Sequence, residues 1–199
     1  MPVFTPIAVL LLASVWRIVA ASHPELANFA PVMALTFCSA VYLRDKRLWA
    51  LPFAALTLSD FFLDHYYATQ FGEQWTWPSV LVRTGCFTLA LPLGAAVARR
   101  KNWLTLFSGA IASSFIFYFA TNTDAWLRDP FYAKTASGWW QAITSGHPEF
   151  MPTFFFFRNT LLSDVVFTGL FAAAFEYAAL RAAQPSLWVR GNTVLNAKT

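Results

Sequence analysis

Apolar positions along this chain fall in long continuous runs, and the polar positions gather in short clusters between them. The runs cover residues 6–20, 29–43, 48–66, 77–97, 103–120 and 153–180. Each approaches the roughly 20 residues that a helix needs to cross a bilayer core about 30 Å thick. The pattern predicts an all-α membrane protein, a bundle of about six transmembrane helices in a single domain over residues 1–199. The first, second and fifth runs are short for straight spans, so one of them is expected to be interfacial or broken. Residues 121–152 are predicted to form a long loop, and residues 181–199 a polar tail.

Basic residues orient the bundle. Arg44, Lys46 and Arg47 follow the second run, Arg99, Arg100 and Lys101 the fourth, and Arg181, Arg190 and Lys198 the last. If the spans alternate, all of these share one side, and the opposite loops carry only Arg128 and Lys134. The positive-inside rule then predicts both termini in the cytoplasm and the 121–152 segment outside, as a cap over the bundle. Trp49, Trp103 and Trp188 at predicted inner ends, with Trp16, Trp75, Trp77 and Trp126 at predicted outer ends, fit an aromatic belt.

Composition strengthens the membrane reading. Of 199 residues, 57% are hydrophobic and 12% charged, with a mean hydropathy of +0.48. A soluble domain carries about 25% charged residues, so much of this exterior must face lipid. Disorder is excluded by the same balance. The net charge of +4 sits in loop clusters between the runs, which argues against a nucleic-acid surface. Cys38 and Cys86 lie inside apolar runs, without the spacing of a disulfide framework or a zinc site. The first run lacks the basic start of a secretory signal and is read as a retained helix.

Polar residues inside spans are costly and tend to face a bundle interior. Arg17, Arg83 and Arg158 stand against Asp60, Asp64 and Asp164, and all six are placed in the outer half by the predicted topology. Balanced charge is what a low-dielectric site tolerates. Helical spacing puts Thr57, Asp60 and Asp64 on one face, Thr160, Asp164 and Thr168 on another, and Arg83 with Cys86 on a third. The expectation is a cavity open outward and closed within, since the inner halves of the runs are almost entirely apolar. The competing account makes the six charges ion pairs that lock the helices. As a metal site, Asp60 and Asp64 lack the second Asp-rich motif that an intramembrane prenyl-transfer enzyme needs. Cys86 reads as a small buried hydrophobe, with a sharper reading as a soft ligand to a metal in the solute. His65 reads as interfacial, with a proton-linked role as the alternative. No Gly-rich phosphate loop is present, so any ATPase must be another chain.

The stretches Asn28-Phe-Ala-Pro-Val-x-Ala-Leu, Leu58-Ser-Asp60, Thr121-Asn122 with Trp126, Tyr132-x-x-Thr-x-x-Gly138, and Phe157-Arg-Asn-Thr-Leu-x-x-Asp164 resemble an uncharacterised bacterial family described as transport proteins. That family is similar to the S-components of energy-coupling-factor vitamin transporters. The resemblance covers roughly residues 15–180 and implies a six-helix substrate-capture protein in the bacterial cytoplasmic membrane, with a loop-covered site near the outer surface. Its motif positions here are Asn28, Pro31, Asp60, Asn122, Trp126, Tyr132, Asn159 and Asp164. The first run lacks the AxxxA pattern by which typical S-components dock on a coupling subunit. That leaves open a shared ATP-driven module or a chain working alone, as solitary cobalamin transporters of this type do.

The expected function is uptake of a small polar or vitamin-like solute, by a transporter or its substrate-binding subunit. The alternative is a small structural subunit of a larger membrane complex. In the first reading Arg83 and Arg158 hold anionic groups, and Asp60, Asp64 and Asp164 bind cationic or hydroxyl groups or balance the arginines. Asn28, Asn122 and Asn159 exchange hydrogen bonds with the solute, and Trp126 and Tyr132 form an apolar wall. No enzymatic role, cofactor or nucleic-acid partner is expected; the partners are the bilayer, the solute and an energising or other membrane subunit.

Overall fold

The computed structural model describes residues 4–23, 26, 28–71 and 76–187. Among them the chain is all-helical: α1 (Phe4–Ala21), α2 (Val32–Tyr42), α3 (Ala50–Phe71), α4 (Trp77–Arg99), α5 (Trp103–Arg128), α6 (Ala136–Ile143) and α7 (Thr153–Arg181), with a 3-10 turn at Lys46–Trp49. Three helices, α4, α5 and α7, are long and apolar enough to cross a membrane. At 1.5 Å per residue they measure about 34, 39 and 43 Å. The protein is therefore a membrane protein, and its outer faces agree. Leu12 on α1, Phe61 on α3, Leu81 on α4 and Leu104 on α5 are all exposed.

Each of the six predicted runs falls on a helix, with two differences. The fifth run was expected to end at residue 120, but α5 continues to Arg128. Thr121 and Asn122 pair back to carbonyls one turn earlier, Phe117 and Tyr118, so polar side chains extend the helix here. The expected 121–152 loop is thereby shortened and contains α6, whose N-cap Thr135 accepts from Gly138 N. Trp75, Trp188, Arg190 and Lys198 lie outside the described residues.

The 11-residue α2 is the centre of the molecule. Met33 to Val41 are all buried, and α3, α4, α5 and α7 pack around them. Close approach on two sides comes from glycine. A Cβ on Gly94 of α4 would sit 2.5 Å from the Phe37 carbonyl oxygen, and one on Gly109 of α5 would sit 2.6 Å from the Phe37 ring. Small residues of this kind let helix backbones meet where no hydrophobic force drives them together. With about 16 Å of length, α2 is shorter than a bilayer core is thick.

The N-terminus of α2 is held from a distance. Its N-cap is Pro31, which offers no side-chain cap. Asp164, fully buried on α7, supplies one instead: Oδ1 accepts from Ala34 N at 2.9 Å, and Oδ2 from the Ser114 hydroxyl at 2.7 Å. A helix N–H, a hydroxyl and the helix dipole thus meet a carboxylate that faces no arginine among the described residues.

At the other end of the bundle Lys101 donates to buried Glu176 at 2.5 Å and lies 4.3 Å from the centre of the Tyr42 ring. The second Glu176 oxygen accepts from Leu187 N at 2.8 Å, fastening the segment after α7 back to that helix. The sequence reading missed Glu176 and took this end as almost wholly apolar.

Candidate functional site

The segment between α1 and α2 is the irregular piece on which the site is built. Asn28 turns the chain with φ 61°, a left-handed conformation that asparagine tolerates better than most residues. The turn is fixed on both sides. Trp16 Nε1 donates to the Phe29 carbonyl at 2.9 Å, and Thr160 on α7 donates its hydroxyl to the Asn28 carbonyl at 3.5 Å.

Beneath this turn lies a cavity of about 150 Å³. Arg17 of α1, Asp60 and Asp64 of α3 and Arg83 of α4 line it. Arg17 Nη2 donates to Asp60 at 2.6 Å, while Nη1 donates to Ser59 Oγ at 2.5 Å and to the Leu56 carbonyl at 3.4 Å. Arg83 reaches both Asp64 oxygens at 3.3 Å, and its Nε stands 3.9 Å from Asp60 Oδ2. The four groups form a chain across three helices, α1 to α3 to α4. The inward stripe of α3 is Leu56, Ser59, Asp60, Asp64 and Tyr67; Thr57, expected on that face, is exposed.

A second, larger cavity of about 680 Å³ adjoins the first, and Asn28, Tyr67, Phe117 and Thr160 line both. Its walls are aromatic, with Tyr118, Phe156 and Phe157 beside Tyr67 and Phe117. The Tyr118 and Phe157 rings stack with centres 4.2 Å apart, and the Tyr118 hydroxyl donates to the Ile143 carbonyl, tying α5 to α6. The segment between α5 and α7 closes one side, through Asp129, Tyr132, His147, Glu149 and Phe150. The Tyr132 hydroxyl is pushed above its ordinary value, first by burial and then by the Asp129 charge. It therefore remains a neutral donor and acceptor through the physiological range.

Of the expected residues, Asn28, Asp60, Asp64 and Arg83 line the smaller cavity, and Asn28, Asn122 and Tyr132 the larger. The other four are placed elsewhere. Arg158 is exposed, with its guanidinium 5.2 Å from the centre of the Phe155 ring, because it lies about 200° around α7 from cavity-lining Thr160. Asn159 is buried beside it and accepts from its Nη2 at 3.3 Å. Asp164 lies one turn beyond Thr160 and serves as the α2 cap. Trp126 donates its indole N–H to the Ala133 carbonyl at 2.8 Å and lines neither cavity. Cys86 packs in the apolar core with Phe87 and Ala90 and lines neither cavity. Among the described residues no three His, Cys, Asp or Glu are gathered to hold a metal ion.

Arg17 was counted as a charge but not as a binding residue, although it is the most deeply buried cation of the cavity at 7% exposure. Its spacing within one apolar helix carried no sign of which side it faced. His147 and Glu149 were missed because they sit in a loop whose path no periodicity predicts.

A family model matches residues 2–187. The chain belongs to a family of unknown function (DUF6580). No curated protein and no solved structure matches it. Its two adjoining cavities are the place to seek a function.

Proposed function

We propose that this protein is a membrane transporter, or the solute-binding subunit of one, for a small polar or vitamin-like solute. The observation that carries the reading is the Arg17–Asp60–Arg83–Asp64 chain, Arg17 buried and the other three half-buried, lining a cavity that adjoins an aromatic chamber. Charges drawn even partly out of water are costly, and ion pairs of this kind are poor stabilisers compared with apolar packing. A bundle that needed only fastening gains little from placing them against a hollow.

The broken path of the chain supports the same reading. Irregular backbone at membrane depth is tolerated where it lines a cavity, and transporter sites are commonly formed where helices are interrupted. Here Asn28, Phe29 and Ala30 lead into a short, buried α2 and line the smaller cavity. In this reading α1, the 29–43 segment, α3, α4, α5 and α7 provide six crossings. Both termini face the cytoplasm of a bacterial cell, and α6 with its flanking loops covers the outer mouth. The overall likeness would be to S-components, with energy supplied by a separate ATPase module or by the solute gradient. No catalytic residue is assigned.

The competing reading is a structural subunit of a larger complex, and Asp164 and Glu176 favour it, because both use buried charge purely as fastening. Purified protein in proteoliposomes discriminates. Time-dependent uptake of a solute from a mixed pool of vitamins and polar metabolites, lost in Asp60→Asn, is the expected result. No uptake, together with a stoichiometric protein partner in mild detergent, would favour the subunit.

A further inference from the structure

The lining of the larger cavity narrows what it takes, on the reading above that the two cavities form a solute site. Seven of the seventeen described residues around it are Phe or Tyr, and none is Lys or Arg. Two carboxylates belong to it, Asp129 and Glu149. Asp129 Oδ1 accepts from Phe131 N at 2.9 Å. Glu149, its side chain 77% exposed, stands where the cavity meets solvent, with Oε2 3.9 Å from His147 Nδ1. Neither pairs with a Lys or Arg side chain among the described residues. The neighbouring Lys134 ammonium is held on the Trp126 and Asp129 carbonyls at 2.5 and 2.6 Å and lines neither cavity.

Hydrogen-bond supply carries the same bias. The hydroxyls of Tyr118, Thr121 and Thr160 each have one hydrogen to give, and main-chain carbonyls take it. Tyr118 donates to Ile143, Thr121 to Phe117 at 2.8 Å, and Thr160 to Phe156 at 3.1 Å or Asn28 at 3.5 Å. What these side chains retain is lone pairs. The smaller cavity alongside adds no net charge, because its two guanidinium groups face two carboxylates.

We propose that the chamber takes an organic cation, an ammonium group carried on a flat apolar body. Negative ring faces and the two carboxylates attract its charge, and the spare lone pairs accept any N–H it bears. An anion would meet the same carboxylates as repulsion. A bare metal ion does not suit the chamber, since it needs several oxygen ligands closed around it and no three His, Cys, Asp or Glu are so gathered among the described residues. At about 680 Å³ the hollow falls in the usual range for a drug-sized molecule, and Phe117, Phe156 and Phe157 offer surface to its flat part.

Three soluble probes on one naphthalene body test this by calorimetry on the full chain in an uncharged maltoside detergent. They are (naphthylmethyl)trimethylammonium, N,N-dimethylnaphthylacetamide and naphthylacetate. The cation is expected to bind about tenfold or more tightly than either of the others. Asp129→Asn keeps an oxygen for Phe131 N while removing the charge, and is expected to weaken the cation about threefold or more and leave the amide unchanged. If that variant does not fold, the three probes on the unaltered chain decide alone. A choline lipid carries the same ammonium, so the titration is repeated with phosphatidylcholine added. Undiminished cation binding there supports a free solute, whereas competition assigns the chamber to a bilayer headgroup and overturns it. Amide or acetate binding as tight as the cation's, or cation binding unaltered in Asp129→Asn, overturns the cation chamber and leaves a solute site standing. Binding of none of the three overturns both.

Discussion

Asp164 is the residue whose role departs most from its sequence reading. Spacing placed Thr160, Asp164 and Thr168 on one inward face, and all three are buried. What spacing could not supply was the partner, since Ala34 lies 130 residues away in the chain. Asp164→Ala leaves Ala34 N without its acceptor and Ser114 with only the Ala110 carbonyl, at a cost of about 1–3 kcal/mol. The variant should unfold at a lower temperature in detergent, and unchanged thermal stability would remove Asp164 as the α2 cap. Gly109 makes a similar prediction by excess volume. Gly109→Ala places a methyl group against Phe37 and should cost about 1–3 kcal/mol, relieved in part by Phe37→Leu. Full additivity of the two changes would contradict the contact. Arg158 shows the converse limit, because charge balance grouped it with Asp164 while helical phase turns it outward.

At the scale of elements, the long runs were legible and the interruptions were not. Continuous apolar stretches specify α3, α4 and α7 within a few residues, because burial in lipid or protein demands little else of them. The extension of α5 to Arg128 rests on Thr121 and Asn122 bonding to their own helix, a choice that polar composition alone does not reveal. The α6 start depends on a tight approach, since a Cβ on Gly138 would sit 1.9 Å from the Ala133 carbonyl oxygen. Gly138→Ala should displace α6 and raise hydrogen exchange across 133–146, and unaltered exchange would contradict that packing. At the opposite end, Lys101→Met strands the Glu176 carboxylate. Breaking a buried pair in this way costs about 3 kcal/mol, lowered somewhat because Lys101 retains 24% of its exposure. Proteolysis beyond residue 181 should accelerate, and unchanged resistance would contradict the fastening.

Across the whole molecule, charge arranges two different ends. One holds the Lys101–Glu176 fastening, and the other the arginine–aspartate chain beneath the aromatic chamber. The sequence placed Asp60, Asp64 and Arg83 together because each sits within two or three turns of a helix end on neighbouring runs. The chamber itself was beyond its reach, since its far wall comes from a loop. The proposed orientation has a direct check. Glu149→Cys should react with an impermeant maleimide in intact cells, and Arg100→Cys only after permeabilisation. The most direct test of the solute site is native mass spectrometry of the protein released from its own membrane. The account predicts a small molecule bound to the intact chain and lost in Asp60→Asn of unchanged stability. A folded chain that carries none, and binds a protein partner in equal ratio instead, would contradict it.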